Sequence, residues 1–238
     1  MLLAELEIWH SRPIAPTRRV ALGRSLLPVD PPPGFGGLLL GGIVAAYIEQ
    51  LGPELAGELD RLVADLGAGL RVPQPRLRHR FQVDRIGLAR SCHRLVGRGD
   101  EIEFDLEEQG SAAAQILGAV YAAGAIDGAH RTGVMEVVRR ALRWQGPVGP
   151  SLVAHLSGVG GGPTWSAGAL AHPHRWALGV LGFGGGSVPE RGDVQRRFRN
   201  LVRSAHPDHG GAREGAAQRI SELSEARRIL LAEASEFA

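Results

Sequence analysis

The chain has 238 residues, 44% of them hydrophobic and 22% charged, a composition typical of a globular protein that excludes a mostly disordered chain. Its 27 basic residues, all arginine, stand against 25 acidic residues, and the formal net charge of +2 excludes any argument for nucleic-acid or membrane binding from charge alone. The length suits one medium domain followed by a small one.

The N-terminal segment and the cysteine content predict a cytoplasmic location. The first residues carry Glu5 and Glu7 and have neither the basic start nor the apolar core of a signal peptide. The single cysteine, Cys92, cannot form an internal disulfide, which suits a reducing compartment. The longest apolar stretch, residues 35–48, contains four glycines and is shorter than the ~20 residues of a membrane-spanning helix. We therefore expect a buried helix there and no membrane insertion.

The first predicted elements in chain order are two helices, at residues 38–51 and 54–66. Clusters of proline and glycine around them predict that the elements of the opening third are short. Pro53 suits the first turn of the second helix. The apolar face of that helix consists of Leu55, Leu59, Leu62, Val63 and Leu66.

Two later stretches alternate apolar and polar residues, a pattern typical of half-buried strands. Residues 76–84 have arginines on the polar face, and residues 101–107 have carboxylates there. Antiparallel pairing of the two stretches would set opposite charges across from each other. With helices predicted at residues 112–123 and 135–144, residues 1–156 are expected to form an α+β domain, whose topology the pattern leaves open.

A glycine-rich stretch, residues 157–171, predicts a linker before a small C-terminal domain at residues 172–238. That domain contains an amphipathic helix with Asp193 at its N-cap or in its first turn. The apolar stripe of the helix consists of Val194, Phe198, Leu201 and Val202, and arginines 196, 199 and 203 lie opposite. The helix must end by Ala205, because Pro207 disfavours helical backbone at the preceding residue, His206.

A second amphipathic helix is predicted to begin near Ala216 and to bury Ile220, Leu223, Ala226 and Leu230. Between the helices the sequence reads His206-Pro207-Asp208-His209-Gly210-Gly211. A bare His-Pro-Asp tripeptide is common by chance, so its neighbours decide its weight. Two amphipathic helices around this loop, with the run Glu222-Leu223-Ser224-Glu225-Ala226, resemble the J domain of DnaJ-type co-chaperones.

Further segments extend the resemblance. Residues 176–182 are similar to the first helix of the family with its closing Leu-Gly, and Phe198-Arg199-Asn200-Leu201 is similar to its aromatic, basic and leucine run. The loop at His206 nearly matches that of import-motor J domains. Three features depart from the family: Ala205 stands where an aromatic residue is common, Arg227 where a tyrosine is common, and the loop at residues 183–192 is longer.

The resemblance implies a small all-α domain, an antiparallel helical hairpin with short flanking helices, that catalyses nothing and needs no cofactor. Such a domain docks transiently on a DnaK-type chaperone and stimulates its ATPase. By the same resemblance, Asp208 meets an arginine of the chaperone, while His206 and Pro207 fix the loop. Arg196, Arg199 and Arg203 would face an acidic surface. The N-terminal domain is then expected to select a client protein, whose identity stays open, or a location.

A second hypothesis makes the N-terminal domain a nucleic-acid-binding module or an enzyme, with the J-like domain as an accessory. Residues 71–98 contain eight arginines, but acidic residues follow directly, which disfavours nucleic-acid binding. Ser91-Cys92-His93 suggests a thiolate activated by an imidazole, but adjacent side chains on a strand point to opposite faces, which favours a structural cysteine. His172 and His174 lack further metal ligands nearby, and the glycines of residues 34–42 match no phosphate-binding loop.

Overall fold

The structure, a computed structural model, describes residues 1–12, 18–30, 32–72, 75–98, 101–157, 173–184, 189–205 and 216–233. Within these ranges the chain forms one five-stranded mixed sheet and eight α-helices, which confirms the predicted mixture of helices and strands. The strands are β1 (Leu2–His10), β2 (Arg19–Leu26), β3 (Arg80–Phe81), β4 (Ala89–Arg98) and β5 (Glu101–Asp105). The helices are α1 (Gly34–Tyr47), α2 (Pro53–Gly67), α3 (Ala112–Ala125), α4 (Gly128–Ala141), α5 (Pro150–Ser157), α6 (Pro173–Leu181), α7 (Arg191–Ala205) and α8 (Ala216–Glu233).

The sheet is built around β1, and its strand order is β3-β2-β1-β4-β5. β1 pairs antiparallel with β2 on one side and with β4 on the other. Its side chains alternate, so that Leu6 and Ile8 are fully buried beneath helices while Glu5 lies on the opposite face. β1, β2 and β4 were not predicted from the sequence. Prolines lie shortly after β1 and β2, and residues 89–98 of β4 have no strict alternation of apolar and polar residues.

The predicted strand at residues 76–84 is wrong. Leu77 and Arg78 have positive φ angles of 46° and 60°, and Arg76 and His79 exchange backbone hydrogen bonds of 2.9 and 2.8 Å. The chain therefore makes a tight reverse turn, and only β3 pairs with the sheet, parallel to β2. Of the apolar positions in the pattern, Leu77 is fully buried in the turn, Phe81 lies in β3, and Val83 is 92% exposed.

The acidic strand is present as β5, but it pairs with β4 and not with residues 76–84. Opposite charges do meet across that pairing: Arg98 Nε lies 2.8 Å from Glu103 Oε2, and Arg94 lies opposite Asp105. The expected charge pairing therefore holds with arginines that come from a different strand. This arrangement follows from the short β4–β5 connection, which favours a local antiparallel pair.

The four predicted helices of the N-terminal region are present with shifted ends. α1 begins earlier than expected and passes into a 3-10 turn at Ile48–Gln50, and α2 carries Pro53 in its first turn as predicted. α4 begins seven residues before the predicted start at Met135, with Asp127 as its N-cap. α5 was not predicted, and it ends at Ser157, the first residue of the expected linker, whose remaining residues lie outside the described ranges.

The helices form layers on one face of the sheet. α1 packs on β1, β4, α3 and α4, and nearly all of its residues are buried, as the uniformly apolar sequence predicts. α2 packs on α3 and α4 on the outer side. None of the helices in the described ranges combines the length and the apolar content that a membrane crossing requires.

Close contact between α3 and the centre of the sheet depends on Gly118. A Cβ atom at that position would lie 2.6 Å from Cδ1 and 2.7 Å from Cγ2 of Ile8, which is fully buried on β1 and has no room to move. We expect Gly118→Ala to lower the free energy of unfolding by about 1–3 kcal/mol, because overpacking forces strain on both elements. Urea denaturation followed by circular dichroism measures this loss.

Gly57 provides the matched control, because a Cβ atom there would meet nothing within 4 Å on the exposed face of α2. We expect Gly57→Ala to raise the free energy of unfolding by about 0.5–1 kcal/mol through helix propensity. Equal effects of the two substitutions would contradict the close packing of α3 on β1.

Candidate functional site

The C-terminal site is built from three helices. α7 and α8 pack along each other, and α6 packs on α8. The core between them is apolar, as predicted, although Ile229 joins it in place of the half-buried Ile220. Its fully or nearly fully buried members are Ala177, Leu178, Leu181, Val194, Leu223, Ala226, Ile229 and Leu230.

α6 ends in a turn that the predicted Leu-Gly pair makes possible. Gly182 has a φ of +72°, which favours glycine, and the N–H of Phe183 donates to the carbonyl oxygen of Leu178 at 2.8 Å. The guanidinium Nε of Arg197 donates to the carbonyl oxygen of Leu181 at 3.0 Å. A side chain of α7 therefore satisfies a free carbonyl at the end of α6.

The first turn of α7 matches the sequence prediction. The helix begins at Arg191, the backbone N–H groups of Asp193 and Val194 donate to the carbonyl oxygen of Glu190, and the carboxylate of Asp193 pairs with Arg196. An acidic residue in this position interacts favourably with the positive end of the helix dipole. The helix is described as far as Ala205, where the sequence required it to end.

The outer face of α7 carries a strong positive charge. The helix contains five arginines and one carboxylate, and Arg196, Arg199 and Arg203 are all exposed. The carboxylate of Asp193 compensates part of the charge of Arg196. Arg199 lines a groove of about 330 Å³ between α7 and α8. The residues that sequence reasoning grouped on one helix face therefore do lie on the solvent side of the pair.

One departure from the J-domain pattern has a physical explanation here. The guanidinium carbon of Arg227 lies 4.5 Å from the centre of the Phe198 ring, so the arginine covers the aromatic side chain of α7 by a cation–π contact. A tyrosine at the same position would cover that ring by aromatic packing. Ala205, a second of the three departures, is partly buried and packs against the core.

The central motif of the sequence prediction lies outside the described residues. His206, Pro207 and Asp208 belong to residues 206–215, which separate the described parts of α7 and α8. Residues 185–188 of the longer loop and His172 also lie outside the described ranges. The described structure therefore places the two helices on either side of the motif and leaves the geometry of the motif open.

The N-terminal domain contains a second group of polar residues, which lies in its core. Ser91 Oγ lies 2.9 Å from His10 Nε2, accepts from the side-chain amide of Gln115 at 3.0 Å, and donates to the carbonyl oxygen of Gln109 at 3.2 Å. Gln115 Oε1 lies 2.9 Å from His93 Nε2. The sequence signal for this chain was a glutamine inside the apolar α3, which sequence reasoning did not use.

Cys92 and His93 point to opposite faces of β4, as adjacent residues of a strand do. His93 is fully buried on the helix side, and Cys92 is buried on the other side, where burial and the nearby Glu5 carboxylate raise the pKa of its thiol. A raised pKa keeps the thiol protonated and weakly nucleophilic. Among the described residues, no group of three or more histidine, cysteine or acidic side chains is placed to hold a metal ion.

The arginines of β4 are compensated within the sheet. On the face opposite α1 and α3, Arg90 Nη1 lies 3.3 Å from Glu7 Oε1, and Arg94 Nε lies 2.8 Å from Glu5 Oε2. Arg98 pairs with Glu103 on β5. Three of the eight arginines behind the nucleic-acid hypothesis therefore have acidic partners, which reduces the positive potential of this surface.

The buried histidines make stability depend on pH. Burial lowers the pKa of His93 and of His79 below the usual value, which favours their neutral forms in the folded protein. The unfolded chain binds protons near pH 6.5, so the free energy of unfolding is highest above that pH and falls as the pH drops below it. One histidine changes the free energy of unfolding by at most about 1.4 kcal/mol per pH unit.

We expect His93→Gln to reduce this slope between pH 7 and pH 5 in urea denaturation curves. Glutamine removes the titrating group and keeps a polar side chain for Gln115. His155→Gln, at an exposed position on α5, is the control for the loss of a histidine. Identical pH slopes for wild type and His93→Gln would contradict the role of burial.

The chain was compared with known proteins at the levels of family, sequence and fold. No family model matches it, no curated protein matches its sequence, and no solved structure matches its fold.

Proposed function

We propose that this chain is a co-chaperone that stimulates the ATPase of a DnaK-type chaperone through a C-terminal J domain. The observation that carries the proposal is the position of His206-Pro207-Asp208 between two packed amphipathic helices, one of which presents exposed arginines. The chaperone is a transient partner. The C-terminal domain acts by binding and needs neither a cofactor nor a catalytic residue of its own.

The packing of the two helices supports an antiparallel hairpin. Arg191 and Gln195, from the first half of α7, line the same groove as Arg227 and Leu231, from the second half of α8. Helices that meet in this sense run in opposite directions, and their connection then lies at one end of the pair. Such a hairpin presents the His-Pro-Asp loop at its tip, where it is accessible to a partner.

The charge of α7 supports a partner with an acidic surface. Arg199 and Arg203 are exposed, and no ion pair of either is found among the described residues. Long-range attraction between such a helix and an acidic protein raises the association rate, which suits a transient complex. We assign His206 and Pro207 to shaping the loop and Asp208 to a charge-assisted hydrogen bond with an arginine of the chaperone.

The N-terminal domain is proposed to select the client or the location. His10 and Gln115 are both hydrogen-bonded to Ser91 in the core, and Arg90 and Arg94 of β4 are paired with carboxylates, so we favour a binding module over an enzyme or a nucleic-acid-binding domain. We place the protein in the cytoplasm, in keeping with its single, buried cysteine.

The test is a single-turnover ATPase assay with a purified DnaK-type chaperone and the full-length chain. We expect Asp208→Asn to abolish the stimulation, because the amide keeps the size of the side chain and removes the charge that pairs with the chaperone. Asp193→Asn is the matched control: it makes the same chemical change in the first turn of α7, and it should retain most of the stimulation.

Two outcomes would contradict the proposal. One is wild-type chain that leaves the rate of ATP hydrolysis unchanged at saturating concentration. The other is an Asp208→Asn variant that stimulates as well as wild type. Circular dichroism of both variants confirms that the comparison is between folded proteins.

A further inference from the structure

The outer edge of β5 is open in the described structure. β5 is the last strand in the order β3-β2-β1-β4-β5, and it pairs on one side only, with β4. Alternate residues of an edge strand direct their N–H and C=O groups away from the sheet. Among the described residues, no strand uses these groups of β5, so an extended peptide has backbone partners there.

A half-open cavity of about 510 Å³ lies next to this edge. Phe104 of β5 and Leu106, which follows the strand, form one wall, and Tyr47 at the end of α1 forms another. Val148, 37% exposed, lies at the cavity as well. The polar residues Gln50 and Glu108 also line the cavity. Its volume accommodates one or two side chains of a ligand, and the walls formed by Phe104 and Leu106 favour apolar ones.

The surroundings of the cavity are acidic. Glu108 lines the cavity, and burial together with the charges of Glu108 and Glu107 raises the pKa of the Tyr47 hydroxyl. On the other face of β5, Glu103 is held at 2.8 Å by Arg98, whereas Asp105 lies 3.8 Å from Arg94 and is 62% exposed at its side chain. The edge therefore offers carboxylates on both sides of the strand.

We propose that β5 is the client-binding edge of the N-terminal domain and that it takes an extended peptide with alternating apolar and basic residues. The peptide adds to the sheet as a further strand. Its apolar side chains enter the cavity beside Phe104 and Leu106, and its basic side chains face Glu103 and Asp105. The inference rests on the proposed function, since it names the chemistry of the client.

Strand geometry links these two requirements. Successive side chains of a strand point to opposite faces of the sheet, so a peptide paired with β5 directs every second side chain towards the cavity. The remaining side chains lie over the face that carries the carboxylates. A compact organic cation would use Glu108 but would leave the strand edge unpaired, so the edge favours a peptide.

The probe is a fluorescein-labelled peptide of about six residues, the usual length of a strand, with alternating arginine and leucine. Binding to the full-length chain is measured by fluorescence anisotropy. Two further peptides carry N-methyl groups on the odd or on the even residues, because methylation removes the backbone donors of one set. We expect one methylated peptide to lose binding and the other to retain it, since only one set of donors faces β5.

Variants of the chain test the charge and the cavity. Asp105→Lys should raise the Kd of the arginine-leucine peptide about tenfold, because it reverses a charge that faces the basic side chains. Asp60→Lys, the same charge change on the exposed side of α2, should leave the Kd near the wild-type value. Val148→Trp should also weaken binding, because the larger side chain occupies the cavity. Both Asp105 and Val148 have exposed side chains, so melting temperatures near wild type are expected.

The inference is overturned if the peptide fails to bind, if the two methylated peptides bind equally, or if Asp60→Lys weakens binding as much as Asp105→Lys. None of these results changes the expected outcome of the ATPase assay. Conversely, a chain that binds the peptide but does not stimulate the chaperone would contradict the proposed function alone. The two proposals therefore fail separately.

Discussion

Burial of the inner face of β1 beneath α1 and α3 is the interaction on which the N-terminal domain depends. Leu6 and Ile8 are fully buried there, and the neighbouring strands β2 and β4 both take their register from β1. Gly118 lets the backbone of α3 approach Ile8 closely, which increases the apolar contact made by both elements. The position of every other strand follows, because β5 pairs with β4 and β3 with β2.

The opposite face of the same sheet carries ion pairs that join β1 to its neighbouring strands. Glu5 pairs with Arg94 of β4, and Glu7, which is 6% exposed, lies between Arg24 of β2 and Arg90 of β4. The arginine side chains of these pairs are 40–77% exposed, so solvent screens the attraction and each pair contributes little stability. Their main effect is to compensate the charges of the arginines and glutamates on this face.

The C-terminal helices combine the same two kinds of interaction on a smaller scale. An apolar core joins α6, α7 and α8, and arginines serve several purposes around it: Arg197 caps α6, Arg227 covers Phe198, and Arg199 and Arg203 face solvent. Arg227, which departs from the J-domain pattern, thus covers Phe198 by a cation–π contact. The proposed docking function and the proposed client edge lie on different parts of the chain, which allows one protein to hold a client and a chaperone together.

The sequence by itself determined the elements whose signal is local. The period of the apolar residues located α2, α3 and α7, and the composition of residues 35–48 predicted the buried α1, because helix hydrogen bonds and amphipathic faces depend on neighbours three or four positions away. The His206-Pro207-Asp208 motif and the helices on both sides of it were likewise predicted from residues that are close together in the chain. Only the tertiary structure decided which strands pair, since residues 76–84 and 101–107 have complementary charges but pairing also depends on turn geometry and on β1. It alone brought together His10, Ser91 and Gln115, and it alone placed a cavity beside an unpaired strand edge, because those contacts join residues that lie far apart in the chain.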